Sequence, residues 1–316
     1  MLADILSGWP PPALDPAGPF NGPIVTLSWV LFAMSGVVLL VVLVATGLAL
    51  FGGAKWKRRL SGRKLIWIGG LVFPTVVLSA LLVYGLALTA HLNAEPEPGE
   101  MRVRVTGEMW WWRVAYLDAQ GREVLQDANE VHIPAGRPVT FELESADVIH
   151  AFWVPPLGGK VDMIPGRRNI LRLQADKPGA YGGQCAEYCG GPHALMGLVV
   201  VAHEPGEFER WRRSRRAAPA PSDALGQRGA QVFADSGCGA CHTVRGSAAN
   251  GLAGPDLTHV GSRRSLGAGI LPNNRGTLAG WVADSQTIKP GNRMPAYKML
   301  SGGDLQAVAA YLESLR

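Results

Sequence analysis

The sequence predicts a multidomain membrane protein: a two-helix transmembrane hairpin, then an all-β domain, then a smaller all-α domain. Three observations predict it. Two long runs, 24–53 and 65–90, carry no charged side chain. Short Val-rich and aromatic runs separated by turn residues fill 100–203. Near the end, Leu305, Val308, Ala309 and Leu312 recur at i, i+3, i+4 and i+7, the period of a helix with one buried face. Composition agrees. Of 316 residues 47% are apolar and 17% charged, with a mean hydropathy of +0.11, whereas soluble domains carry roughly 25% charge. The 40 glycines and 23 prolines follow no short period, which excludes a collagen-like chain.

Residues 1–23 form an external segment rich in Pro and Gly, without the charged start and small-residue cleavage site of a signal peptide. The hairpin occupies 24–91. Each apolar run exceeds the about 20 residues needed to cross a hydrocarbon core. A buried hairpin in a soluble core is the alternative, and two uncharged runs of this length are rare there. The connection AKWKRRLSGRK, residues 54–64, holds six cations and no anion, which marks it as cytoplasmic. The N-terminus and everything after His91 then lie outside.

The all-β domain spans 92–203. Val139, Phe141 and Leu143 alternate with Thr140, Glu142 and Glu144, the pattern of a half-buried strand. Leu198–Val201 is a continuous apolar run, suited to a strand buried on both faces. Turn residues at 118–121, 134–136 and 155–159 complete a sandwich or barrel pattern. A charged, then Ala/Pro-rich linker covers 204–222, with APAP at 218–221 as an extended spacer. The all-α domain spans 223–316. It opens on a helical pattern carried by Leu225, Ala230, Val232 and Phe233. The net charge of +5 is local: 54–64 and the five arginines of 210–216 supply 11 of the 30 Lys and Arg. That distribution marks topology and a linker, and argues against a nucleic-acid-binding face.

Four cysteines form two tight pairs, too few for a disulfide scaffold. Cys238-Gly-Ala-Cys241-His242 is the pattern of covalent haem c attachment. Two nearby thiols add across the two vinyl groups of one haem, and the adjacent histidine falls beneath the iron. A sixth ligand must come from the opposite side, and methionine there raises the potential. Met294, in Asn292-Arg293-Met294-Pro295, is the candidate, with Met299 as competitor. A zinc site would want a second Cys/His pair, which His259 alone does not supply, and a redox dithiol has no need of His242.

The second constellation is Cys185-x3-Cys189-x3-His193-x2-Met196, with His150 upstream. Thiolates with imidazole select copper or zinc. A mononuclear blue-copper site needs one cysteine; a second allows two thiolates to bridge two coppers, each capped by one histidine. Met196 and a backbone carbonyl would complete the set. A Cys2His2 zinc cage would leave Met196 unexplained, and a Cys185–Cys189 disulfide is the remaining alternative.

The run Gly183-Gln184-Cys185-Ala186-Glu187-Tyr188-Cys189-Gly190-Gly191-Pro192-His193-Ala194-Leu195-Met196 resembles the CuA loop of cytochrome c oxidase subunit II. Gly107-Glu108-Met109-Trp110-Trp111-Trp112, Val154-Pro155-Pro156-Leu157 and Ile164-Pro165-Gly166-Arg167 resemble other stretches of that family. Residues 223–316 resemble a class I cytochrome c, with Gly254-Pro255 where that family orients its proximal histidine. With two spans, the chain resembles a subunit II of the caa type, with a cupredoxin-like CuA domain and a fused cytochrome c.

The resemblance implies Cys185 and Cys189 as bridging ligands of dinuclear CuA, His150 and His193 as terminal ligands, and Met196 and the Glu187 carbonyl as weak ones. It implies that the Glu187 carboxylate reaches a magnesium ion shared with subunit I, and that electrons enter at Trp110. Trp111 and Trp112 read as a plain aromatic strand. It also implies subunit I as the oxygen-reducing partner, subunit III, membrane lipid, and an upstream donor, either cytochrome c or a quinol-oxidising complex. The location implied is a bacterial cell membrane, with both metal domains on the outer face, which is a periplasm or the exterior of a single-membrane cell. Lys64 stands near the place where many family members carry a glutamate associated with proton uptake, so that role is not carried over. Glu108 replaces the histidine of some members.

The reading is an electron relay from haem c through CuA to subunit I, coupled to proton translocation. No histidine occurs in 24–90, so the oxygen site lies elsewhere. The rivals are a CuA-containing nitric oxide reductase subunit, a membrane-anchored copper-delivery or thiol-redox protein, and a free-standing electron carrier. A tether raises the effective concentration of the cytochrome. Shortening 204–222 is therefore expected to slow haem-to-copper transfer without altering either cofactor. Flash-initiated kinetics would read this, and unchanged transfer after severe truncation would count against the tether.

Overall fold

The computed structural model describes residues 12–219 and 223–316. The segment expected over 1–23 and the spacer at 218–221 therefore lie partly outside the described residues. The described residues divide into two compact units, one of residues 22–95 and one that joins 12–21 to the residues from 96 onward.

The smaller unit holds α1 (Gly22–Phe51), α2 (Ala54–Leu60) and α3 (Arg63–Leu92). Both long helices have 30 residues and are long and apolar enough to cross a membrane. They are apolar all round yet expose their large side chains, as at Leu40, Val41, Leu82 and Val83. Such a surface needs lipid or protein to cover it. Within α3 the hydrogen bonding widens to a π-turn over Ile68–Val72, just before Pro74. Proline lacks an N–H and crowds the carbonyl four residues back, which a locally wider turn relieves. Lys64 sits in the first turn of α3.

In the larger unit, residues 101–203 form two five-stranded sheets. One has the order β3 (Glu123–Ala128), β2 (Trp111–Leu117), β1 (Met101–Glu108), β5 (Val139–Ser145), β8 (Asn169–Leu173). The other runs β4 (Glu130–Pro134), β10 (Gly197–His203), β9 (Gly179–Cys185), β6 (His150–Trp153), β7 (Val161–Met163). Val103, Val105, Phe141, Leu143, Phe152 and Leu198 from both sheets bury completely or nearly so. Trp112 fills this core and meets Phe152 edge to face at 5.7 Å.

β5 departs from the half-buried expectation, since Thr140 and Glu142 are buried too. β5 lies between β1 and β8, and Glu142 is covered by arginines. Arg102 pairs with it, Arg104 lies at 3.2 Å and Arg168 at 3.5 Å. The alternation is real, but its polar face is roofed by ion pairs instead of water.

The expected linker is helical in its first half. α4 (Pro205–Ser214) buries Phe208 and Trp211 against the sheets. Trp211 stacks on His132 at 4.2 Å, and His132 Nδ1 lies 2.7 Å from His203 Nε2. Exposed arginines pair with Glu207 and Glu209, so the charge run is the outer face of an amphipathic helix. The tether is thus confined to the residues beyond α4, because truncating 204–214 would remove core side chains.

The rest of the unit is the helical module. Its first and last helices, α5 (Ala224–Asp235) and α7 (Gly302–Ser314), pack on each other, with α6 (Arg275–Ile288) beside α7. Asp223 caps α5 and Ser301 caps α7. A Cβ on Gly229 would stand 1.9 Å from the Ala307 carbonyl oxygen, so only glycine permits this crossing. α6 breaks at Asp284.

Burial, with His132 beside it, pushes the His203 imidazole down to about 4. The unfolded chain takes up that proton near pH 6.5 and the folded one does not. The stability His203 contributes is thus present above about pH 6.5 and is lost as pH falls from there to about 4. The thermal midpoint of the β-domain is expected to drop across that window, with a smaller drop in His203→Gln.

Candidate metal and haem sites

β9 ends at Cys185 and β10 begins at Gly197, so 186–196 form one loop between adjacent strands. Its ends are closed by Cys185 N–H donating to Met196 O (2.9 Å), and Ala186 N–H donates to Ala151 O (3.0 Å) on β6. A 3-10 turn over His193–Leu195, with Gly190 at φ +105°, folds the loop back on itself.

The loop brings the sulfurs together. Cys185 Sγ lies 3.8 Å from Cys189 Sγ, far beyond the roughly 2.05 Å of a disulfide, and both are free thiols. His150 Nδ1 lies 3.8 Å from Cys185 Sγ, and His193 Nδ1 3.4 Å from Cys189 Sγ. Met196 Sδ is 3.8 Å from Cys189 Sγ, and the Glu187 carbonyl oxygen is 3.2 Å from Cys185 Sγ. Ligand atoms of His150, Cys185 and Cys189 all fall within 4.8 Å of one another. The Glu187 carboxylate instead points outward to Lys160 at 3.4 Å.

Two features that hold His150 have only a faint sequence signal. His150 Nε2 lies 2.8 Å from Asp147 Oδ1, leaving Nδ1 for the sulfurs; an Asp three residues before a candidate ligand is the signal. Met109 N–H and Val148 N–H donate to the same carboxylate, each at 2.8 Å. Gly107 makes room, since a Cβ there would stand 2.8 Å from the imidazole. Burial alone would depress the His150 imidazole, but Cys185 and Asp147 outweigh it and raise its pKa. A hydrogen bond with Cys189, aided by His150 against burial, pulls the Cys185 thiol down to about 3; that bond and burial push the Cys189 thiol up. The pair thus favours a single thiolate before any metal arrives. Two soft sulfurs, two inward imidazole nitrogens, a thioether and a carbonyl fit copper better than a hard cation.

Trp110 belongs to this neighbourhood. Its Nε1–H donates to the Cys189 carbonyl at 2.8 Å, and its ring packs on Gly190. Trp111 and Trp112 both lie on β2; Trp112 is core, while Trp111 stacks under the Arg113 guanidinium at 4.7 Å.

In the helical module a 3-10 turn over Cys238–Ala240 follows Gly237 at φ +74°. His242 Nδ1 lies 2.8 Å from Pro255 O. A carbonyl only accepts, so Nδ1 carries the proton and Nε2 is free to bind iron. Burial lowers the His242 pKa and favours the neutral ligand form. Gly254 lies flat against the ring, where a Cβ would stand 2.6 Å away. The Met294 carbonyl accepts from Ser285 Oγ (2.9 Å) and Gln286 Nε2 (2.7 Å), and Met294 packs on the module's core. Met299 is 79% exposed. The donor set fits haem c.

Over an alignment of 316 positions that covers 96% of this chain and 90% of the relative, the sequence is 37% identical to cytochrome c oxidase subunit 2 of Alkalihalophilus pseudofirmus. The chain belongs to the cytochrome c oxidase subunit II family. Residues 116–203 match that family's periplasmic domain, and residues 226–316 match cytochrome c. The Bacillus subtilis subunit 2 is 30% identical, covering 82% of this chain and 77% of its own. The periplasmic domain of the Bradyrhizobium japonicum subunit is 32% identical, covering 38% of this chain and 96% of that one, with a TM-score of 0.36. As a subunit II, the chain is part of an oxidoreductase complex with subunit I, and its fused cytochrome c fits an electron relay into that complex. The two families imply copper and haem.

Asp147→Asn is expected to weaken copper binding about 10–100-fold, because outer partners that orient a ligating imidazole carry that much affinity. Competition with a chelator at constant far-UV dichroism measures it.

Proposed function

We propose that this subunit II holds a dinuclear CuA centre on Cys185, Cys189, His150, His193, Met196 and the Glu187 carbonyl. We likewise propose that Cys238 and Cys241 would hold one covalent haem c, with His242 and Met294 supplying its iron ligands. The observation that carries the reading is the pair of buried, unbonded thiols 3.8 Å apart, each with its own imidazole. When bound, the two groups supply reversible one-electron chemistry.

The chain's own residues orient and dry the sites. Asp147 fixes which nitrogen of His150 faces the sulfurs, and Trp112, itself packed on Phe152, lies beside the fully buried imidazole. Pro255 O does the same for His242. Asn292 Oδ1 accepts from Met294 N–H at 2.8 Å and so holds the loop that presents the thioether. Trp110 is the side chain at which electrons enter the copper loop, because its indole is bonded to a copper ligand's own carbonyl.

The Glu187 carboxylate is half-exposed, a single hard oxygen donor suited to magnesium whose other ligands come from subunit I and water. The helices α1 and α3 anchor the chain in the bacterial cell membrane, with the cationic 54–64 connection inside and both modules outside. Subunit III and an upstream donor, cytochrome c or a quinol-oxidising complex, complete the assembly.

The purified membrane complex is expected to show a mixed-valence dinuclear copper signal, covalent haem c and oxygen uptake. Met294→Ala should keep the haem, lose the sulfur-to-iron charge-transfer band and lower the potential, whereas Met299→Ala should leave all three unchanged. Copper content near zero would overturn the assignment.

A further inference from the structure

The β-domain and the helical module meet over a polar seam. Arg263 pairs with Asp127 at 2.8 Å, and both are almost fully buried. Arg264 N–H donates to Glu130 Oε2 (2.8 Å), Arg113 Nη2 to Leu252 O (2.7 Å) and Gly197 N–H to Ala268 O (3.0 Å). At the copper end stands Lys289, 3% exposed, at the end of α6. Its ammonium donates to three backbone carbonyls on three segments: Trp110 O at 2.6 Å, Leu195 O at 2.8 Å and Gly267 O at 2.9 Å. The first belongs to the tryptophan proposed to receive electrons, the second is next to Met196, and the third lies within the helical module.

An ammonium has three donors, and here all three are used. A neutral amine would turn a lone pair on one carbonyl. Burial pushes this ammonium down to about 7, while the Cys189 sulfur acts the other way. Beyond Lys289 the chain runs directly to the haem loop. Gly291, at φ +86°, backs onto the Trp110 ring, and Arg293 reaches Asp147 at 3.5 Å. Asp147 is the carboxylate that orients His150. Residues 289–293 thus touch the copper loop's surroundings at three points immediately before Met294.

We propose that Lys289 is a positioning residue for electron relay: it pins the Met294 loop of the cytochrome module against the Trp110 side of the copper loop, in one fixed pose. This rests on the haem and copper assignments above. The linker then only keeps the modules on one chain, and the pose sets the transfer rate, in place of the dependence on linker length expected from the sequence. An apolar side chain at 289 strands three buried carbonyls, each costly to leave unmade.

The test uses the full oxidase complex, with Lys289→Met and Lys289→Arg beside the native protein. In Lys289→Met, haem-to-copper transfer after flash reduction of the haem is expected to slow about tenfold or more. The copper and haem spectra and oxygen uptake from a small reductant that feeds the copper directly should be unchanged. Lys289→Arg, which keeps charge and donors, should recover part of the rate. Transfer within about twofold of native in Lys289→Met, with both cofactors in place, overturns the proposal. So does an Arg variant no better than Met, or a Met variant that loses its copper signal, since either makes Lys289 merely structural. Should Lys289→Met not accumulate, hydrogen exchange on the native complex decides: Gly197 and Arg264 amides protected against exchange support the fixed pose, and free exchange overturns it. Absence of copper or haem from the native complex would instead strike the assignments beneath.

Discussion

The copper loop depends on the register of β6 against β9. Phe152 stands opposite Cys185, and Trp153 opposite Gln184. That pairing puts His150, two residues before Phe152, on the face that carries the Cys185 sulfur. A slip of one residue would send His150 and Phe152 to the other face. The register is held from both sides, by the Ala186 amide on the Ala151 carbonyl and by the Cys185 amide on the Met196 carbonyl. Four of the five side-chain donors then come from the end of β9 and the loop that follows it, whose ends are already fixed. Only His150 comes from elsewhere, and Asp147 and Gly107 hold it.

The seam between the modules is made of charges and carbonyls, which explains its specificity better than its strength. A buried pair such as Arg263–Asp127 surrenders hydration on both sides and contributes little net stability. It tolerates few alternative geometries, however, because a displaced guanidinium would leave a buried carboxylate unmatched. The chain beyond α4 is drawn into the same arrangement: the Arg215 carbonyl accepts from Arg245 and lies 3.1 Å from His259 Nε2. A free tether would supply a high local concentration of cytochrome over many orientations. This seam supplies one orientation, and the tether adds little once it has formed.

Much of the architecture was legible in the sequence because its signals are local. Uncharged runs, a C-x-x-C-H motif and a Cys-x3-Cys-x3-His-x2-Met loop each announce themselves within a short window. What escaped was what distant segments do to each other. Glu142 read as a solvent-facing position because nothing nearby in the chain reveals that Arg102, Arg104 and Arg168 will cover it. The start of 204–222 read as a charged linker because five arginines outweigh Phe208 and Trp211, yet those two side chains place α4 on the sheets. Lys289 gave no signal at all. A lysine after a helix is ordinarily a surface residue, and its partners are carbonyls, which sequence does not distinguish from one position to the next.

The glycines around Trp110 show how the two modules came to share one site. Gly190 lies in the copper loop at φ +105°, and Gly291 lies before the haem loop at φ +86°. Each is needed by its own module to turn the chain, since other residues are strained at those angles. Each also presents bare backbone to the same indole ring, with a Cβ position 3.2 Å away for Gly190 and 3.6 Å away for Gly291. The turn that folds each ligand loop therefore also lets the loop approach Trp110. The indole bonds to a carbonyl of one loop while the other packs on its ring, so the side chain that best connects the two modules is the one around which both loops already turn.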